Sequence, residues 1–140
     1  MKEKLSTKVL WLRGVIATVI ATLINVTAAS VSAAAIGASP EFIALQPGPV
    51  VTATVVTMLV GTAVFAVLNR YLTHPGRIFT ILGLGVGALS LIAPVSLSAD
   101  TSGLFAGNTP AAALTLIPLH LIPAVTLVAA LAWIPKGRRA

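Results

Sequence analysis

Three polar side chains, Asn25, Ser90 and His120, stand in the middle of long apolar runs. A polar group at the depth of hydrocarbon is costly, and by default it faces protein or water rather than lipid. A histidine there can ligate haem or a chlorophyll-type pigment, relay a proton, or hold a small ligand. It can also be structural, with its ring bonded to Asn25, to Ser90 or to a freed backbone carbonyl. Pro118 and Pro123 flank it. Pro118 lacks the N–H that would bond the Leu114 carbonyl, and Pro123 leaves the Leu119 carbonyl without its usual donor. The helix carrying His120 is therefore expected to bend around it, with spare carbonyls nearby. The structural role is the preferred expectation for Asn25, Ser90 and His120; a small-ligand or pigment site is the alternative.

Other chemistries lack their residues. The chain has no cysteine, which excludes disulfides, thiolate nucleophiles, cysteine-ligated zinc and iron–sulfur clusters. It also excludes the membrane enzymes that pass electrons from dithiols to quinones. The three acids are Glu3, Glu41 and Asp100. They form no carboxylate pair, and there is no metal-ligand cluster or phosphate loop. Ser90 with His120 lacks a third group. His74 is the only other histidine and falls in a loop, so two-histidine haem ligation within one chain is not expected. An ion-coupled transporter needs a titrating group in the membrane, and His120 is the sole candidate. The residues thus name no catalytic group, no metal and no particular cofactor.

The elements that must position these side chains follow from composition. Of 140 residues, 57% are hydrophobic and 9% charged, against about 25% charged in soluble chains. Mean hydropathy is +1.03. Apolar runs cover residues 14–36, 50–68, 78–97 and 110–133, each close to the ~20 residues that one crossing needs. Pro49 and Pro110 suit helix starts, where the missing N–H has no partner to lose. The expected fold is all-α, a single-domain transmembrane four-helix bundle. Four crossings put all nine basic residues on one side, and Glu41 and Asp100 on the other. The positive-inside rule then makes both termini cytoplasmic. The net charge of +6 reports this topology and no nucleic-acid partner. Trp11 and Trp133 fit interfacial anchors. The small-residue tract 28–35 also resembles a signal cleavage site. The preceding apolar run, at about 23 residues, exceeds the usual 7–15-residue signal core and favours an uncleaved helix. Loop 37–49 is apolar enough to lie on the membrane or fold back over the helices; loop 98–109 reads as flexible.

Lipid gives helices no hydrophobic reason to associate, so small residues and interhelical hydrogen bonds must. Gly14, Ala17, Ala21, Asn25, Ala28 and Ser32 form one face of the first helix. Gly83, Gly87, Ser90 and Pro94 form one face of the third, and Thr54, Thr57 and Gly61 a weaker stripe on the second. The third-helix face is expected to pack within the chain, against Ala17, Ala21 and Asn25, rather than form a homodimer seam. Arg70, Arg77, Lys136, Arg138 and Arg139 close helix ends. There they serve topology and, equally, attraction to anionic lipid.

Between Arg70 and Leu131 further residues align: Pro75 with Arg77 and Phe79, Leu89-Ser90-Leu91 with Pro94, and an Ala/Thr-rich entry leading to Leu119-His120. With Asn25, they resemble a family of small bacterial four-helix membrane proteins catalogued as a domain of unknown function. Leu119 stands where that family usually has Met, and His74 where it often has another basic residue. The resemblance implies a four-helix fold in the bacterial cytoplasmic membrane and no established activity. The expected function is non-enzymatic: an accessory subunit or scaffold acting through helix–helix contacts, with the bilayer and a protein partner or second copy as its surroundings. The alternative is a carrier of a small apolar ligand or cofactor around His120.

Overall fold

A computed structural model describes residues 4–133. Its helices are α1 (Thr7–Ile36), α2 (Pro47–Tyr71), α3 (Pro75–Ser90), α4 (Ile92–Ser98), α5 (Pro110–Leu114) and α6 (Leu116–Leu131), with one 3-10 turn at Ile43–Leu45. Four segments are long and apolar enough to cross a membrane: α1, α2, the pair α3–α4, and the pair α5–α6.

Local chemistry explains the boundaries. The Ser6 hydroxyl accepts from the Val9 N–H at the start of α1, the usual N-cap arrangement. α1 ends at Gly37, whose φ of 61° is a left-handed conformation that glycine adopts without steric cost. The Ala38 N–H then returns to the Ala33 carbonyl at 2.9 Å, closing a Schellman-type cap. Proline occupies the first turn of α2, α3 and α5, where its fixed φ helps and its missing N–H costs nothing.

Proline also divides the last two crossings. The α3–α4 break lies at Leu91, three residues before Pro94, and the α5–α6 break at Thr115, three before Pro118. A hydroxyl at each break bonds back into the preceding helix. Ser90 Oγ donates to the Gly87 carbonyl at 2.7 Å, and Thr115 Oγ1 to the Ala112 carbonyl at 2.7 Å. The expected bend around His120 therefore sits upstream of it, at Thr115. Pro123 is carried inside α6.

The distribution of side chains is that of a membrane bundle. Leu23, Val31, Ile81 and Leu89 are exposed, whereas Thr18, Asn25, Thr54, Thr62 and Asn69 are buried. Water would penalise so large an apolar surface; lipid does not. α1 packs against α2 and α6, α3 against α6 and α2, and α4 against α5. Two apolar clusters form. Ala17, Ala21, Met58, Phe65, Phe79 and Leu127 belong to one, in which Phe65 and Phe79 meet edge-to-face at 5.0 Å. Ala29, Phe42, Leu45, Val50, Ala112 and Leu119 belong to the other. Phe42 and Leu45 show that loop 37–46 folds back over the helices.

The packing partner of the third crossing differs from expectation. A Cβ at Gly83 would lie 2.9 Å from Val128 Cγ2, and one at Gly87 3.1 Å from Ala124 Cβ. Both glycines thus face α6, not Ala17, Ala21 and Asn25 of α1. The α1 face packs instead on α2, where a Cβ at Gly14 would collide with the Thr62 side chain. Small residues permit close approach without naming the partner helix.

Candidate functional site

The polar centre of the bundle is built on α1. Asn25 is only 2% exposed. Its Nδ2 donates to Thr54 Oγ1 of α2 at 2.9 Å and to the Leu119 carbonyl of α6 at 3.0 Å. That carbonyl is the one Pro123 leaves without a helical donor. One amide therefore joins three crossings and replaces a missing backbone bond. Because a carbonyl only accepts, the amide nitrogen must face Leu119, which fixes the amide's orientation. Asn25 Oδ1 then lies buried with no hydrogen-bond partner among the described residues.

His120 is adjacent in sequence but engaged elsewhere. Its Nδ1 lies 2.8 Å from the Leu116 carbonyl of its own helix, so Nδ1 carries the hydrogen. Ser90 is likewise bonded within α3, as given above. Of the expected partners for His120, a backbone carbonyl is the one it takes, that of Leu116 rather than one freed by proline, in place of Asn25 or Ser90. Asn25 instead reaches the backbone beside His120. Both local bonds follow helical geometry, which places a carbonyl three or four residues back within reach of a short polar side chain. Sequence reasoning missed Thr54 as the acceptor; its place in the small-residue stripe of the second helix was the available signal. Among the described residues no group of three or more His, Asp or Glu side chains could hold a metal ion.

A second polar set lies at one end of the bundle. Asn69, near the end of α2, exchanges two bonds with the backbone of Leu5: its Nδ2 donates to the Leu5 carbonyl at 2.8 Å, and its Oδ1 accepts from the Leu5 N–H at 3.2 Å. Lys4 Nζ donates to the Arg70 carbonyl at 2.8 Å, and Arg13 Nη1 to the Ala130 carbonyl at 3.5 Å. The Arg70 guanidinium lies 5.6 Å from the Tyr71 ring centroid. Gly76 lies against the Ala132 carbonyl, which places Arg77 beside the end of α6. The described basic residues Lys4, Lys8, Arg13, Arg70 and Arg77 thus share one end. Lys136, Arg138 and Arg139 fall outside the described residues. Glu41 and Asp100 lie in the loops of the opposite end, where a Cβ on Gly107 would meet the Phe42 amide nitrogen at 2.8 Å.

Four apolar crossings, a buried polar layer, and charges segregated to the two ends define a multi-pass α-helical membrane protein. Residues 5–135 match the model of a family of unknown function, DUF6069, and the chain belongs to that family. No curated protein and no solved structure matches it.

Proposed function

We propose that the protein is a non-enzymatic module of the bacterial cytoplasmic membrane, an accessory subunit or scaffold that works by docking a helix of a partner or a second copy. Its basic end, with both termini, faces the cytoplasm, in keeping with the positive-inside rule. The observation that carries this reading is the outward face of α3. Only 17% of the third crossing's most apolar window is buried, against 28–33% for the other three. Gly85 stands on that face, with no atom within 4 Å of where its Cβ would be. Glycine weakens a helix by about 1 kcal/mol relative to alanine, and its usual compensation in membranes is close approach of another backbone. The engagement of Asn25, Ser90 and His120 in bonds that shape the bundle supports the same reading.

The absence of cysteine makes the test clean. A Gly85→Cys variant carrying a benzophenone maleimide should photo-cross-link to a protein in native membranes, while Gly87→Cys, facing α6, should give little or no adduct. Cross-linking to lipid alone at residue 85 would contradict the proposal.

One observation favours a second reading. The unpartnered Oδ1 of Asn25 is an acceptor that a small ligand with an O–H or N–H could satisfy. A coloured species in the purified protein, or a co-extracted small molecule lost in Asn25→Ala, would support this reading.

A further inference from the structure

We infer that the groove between α3 and α6 at the basic end binds one anionic phospholipid, with an acyl chain along the groove and the phosphate at Arg77. The groove has a volume of about 410 Å³ and is lined by Thr80 and Leu84 of α3, by Val125 and Ala129 of α6 and by Trp133 just beyond its end, among others. Its α6 wall from Val125 to Leu131 runs about 9 Å at 1.5 Å per residue, and Ala132 and Trp133 extend it toward the end of the bundle. Half of a ~30 Å hydrocarbon core is ~15 Å, so the helical part of the wall alone covers more than half of one leaflet's depth. Apart from the Thr80 hydroxyl and the Trp133 indole N–H, these lining side chains are apolar, and the Thr80 hydroxyl donates back to the Gly76 carbonyl at 2.9 Å. The wall therefore presents little but hydrocarbon to a chain lying against it.

About one turn beyond the lining of the groove stands the opposite chemistry. Arg77, Thr80 and Leu84 are spaced i, i+3, i+7 and share one face of α3. Arg77 is exposed. Helical side chains lean toward the N-terminus, which here points out of the hydrocarbon, toward the level of the phosphates. The first turn of α3 contains no acid, so the helix dipole adds to the same positive field. Trp133, on the facing wall, is a side chain suited to the headgroup boundary. An apolar channel, a cation in register with it and an interfacial indole together fit a phospholipid with a net negative headgroup better than a zwitterionic one. The inference rests on the bundle spanning a bilayer. Retention of the protein in membranes after an alkaline wash tests that separately.

Native mass spectrometry of the full-length protein, equilibrated in detergent with equimolar phosphatidylglycerol and phosphatidylcholine, provides the test. The protein should retain phosphatidylglycerol over phosphatidylcholine by about fivefold, the equivalent of the roughly 1 kcal/mol that one basic residue contributes at an anionic surface. Arg77→Gln should remove the preference while leaving retention of phosphatidylcholine. Ala129→Phe, which fills the groove from an exposed position, should reduce retention of both lipids, and Val125→Trp should do the same if the first variant folds poorly. Arg70→Gln, at the same end but off the groove, should leave the preference intact. Equal retention of the two lipids by the wild type would overturn the inference. So would equal losses in Arg70→Gln and Arg77→Gln with no effect of filling the groove, because a diffuse basic rim would then suffice.

Discussion

Asn25 concentrates the physics of the bundle in one amide. Pro123 breaks a backbone bond, and Asn25 supplies the donor from a different crossing while also holding Thr54. Interhelical hydrogen bonds in membranes average about 0.6 kcal/mol, so Asn25→Ala should cost about 1 kcal/mol in reversible unfolding in mixed micelles. In a Pro123→Ala background the residue-123 N–H can bond Leu119 again, and the same substitution should cost about 0.6 kcal/mol less. Strict additivity would show that the Leu119 bond carries no stability. His120 makes a contrasting case. Its bond to Leu116 is local, so His120→Gln and His120→Leu should each change stability by less than ~1 kcal/mol. At the opposite end, hydrogen bonds from Ser102, the side chain first and then the backbone N–H, hold the exposed Asp100 carboxyl below its ordinary value. A depressed folded pKa stabilises above the ordinary carboxylate value and loses that effect as pH falls through the folded pKa. Amide exchange at Ser102 should therefore show an extra rise over that acid range, once corrected for intrinsic exchange, and Asp100→Asn should abolish the rise.

At the scale of elements, the two sides of α3 have opposite demands. Gly87 meets Ala124, and Gly85 meets nothing. Gly87→Leu should destabilise the protein by about 1–3 kcal/mol through overpacking. Gly85→Leu should leave its thermal stability in detergent unchanged or raised, yet weaken any complex in the membrane. Equal destabilisation by both would mean that α3 packs differently. The four crossings were legible from uninterrupted apolar runs, because nothing but a helix satisfies the backbone in lipid. The freed carbonyl of Leu119 was legible from Pro123 alone. The packing of α3 on α6 was not, since a stripe of small residues marks a close contact and leaves its partner to the connectivity. Nor were the local bonds of Ser90 and His120, because similar depth along a bundle does not fix which way a side chain points. The position of the break at Thr115 was half legible: Pro118 leaves the Leu114 carbonyl without its donor, and the break falls beside Leu114, whereas Pro118 and Pro123 together centre the expected bend on His120.

At the scale of the whole molecule, the segregation of charge is the feature on which the other placements depend. Lys4, Asn69 and Arg13 tie the N-terminal segment to the ends of α2 and α6, so the described basic residues gather at one end of the bundle. The chain lacks cysteine, so single cysteines report that arrangement directly. Thr73, in the α2–α3 connection, and Ser102, in the loop before α5, occupy opposite ends of the bundle, and both are exposed. In intact spheroplasts a membrane-impermeant maleimide should label the Ser102→Cys variant at once and the Thr73→Cys variant only after lysis. Labelling of both variants before lysis, or of the Thr73→Cys variant alone, would contradict a four-crossing bundle with its basic end in the cytoplasm.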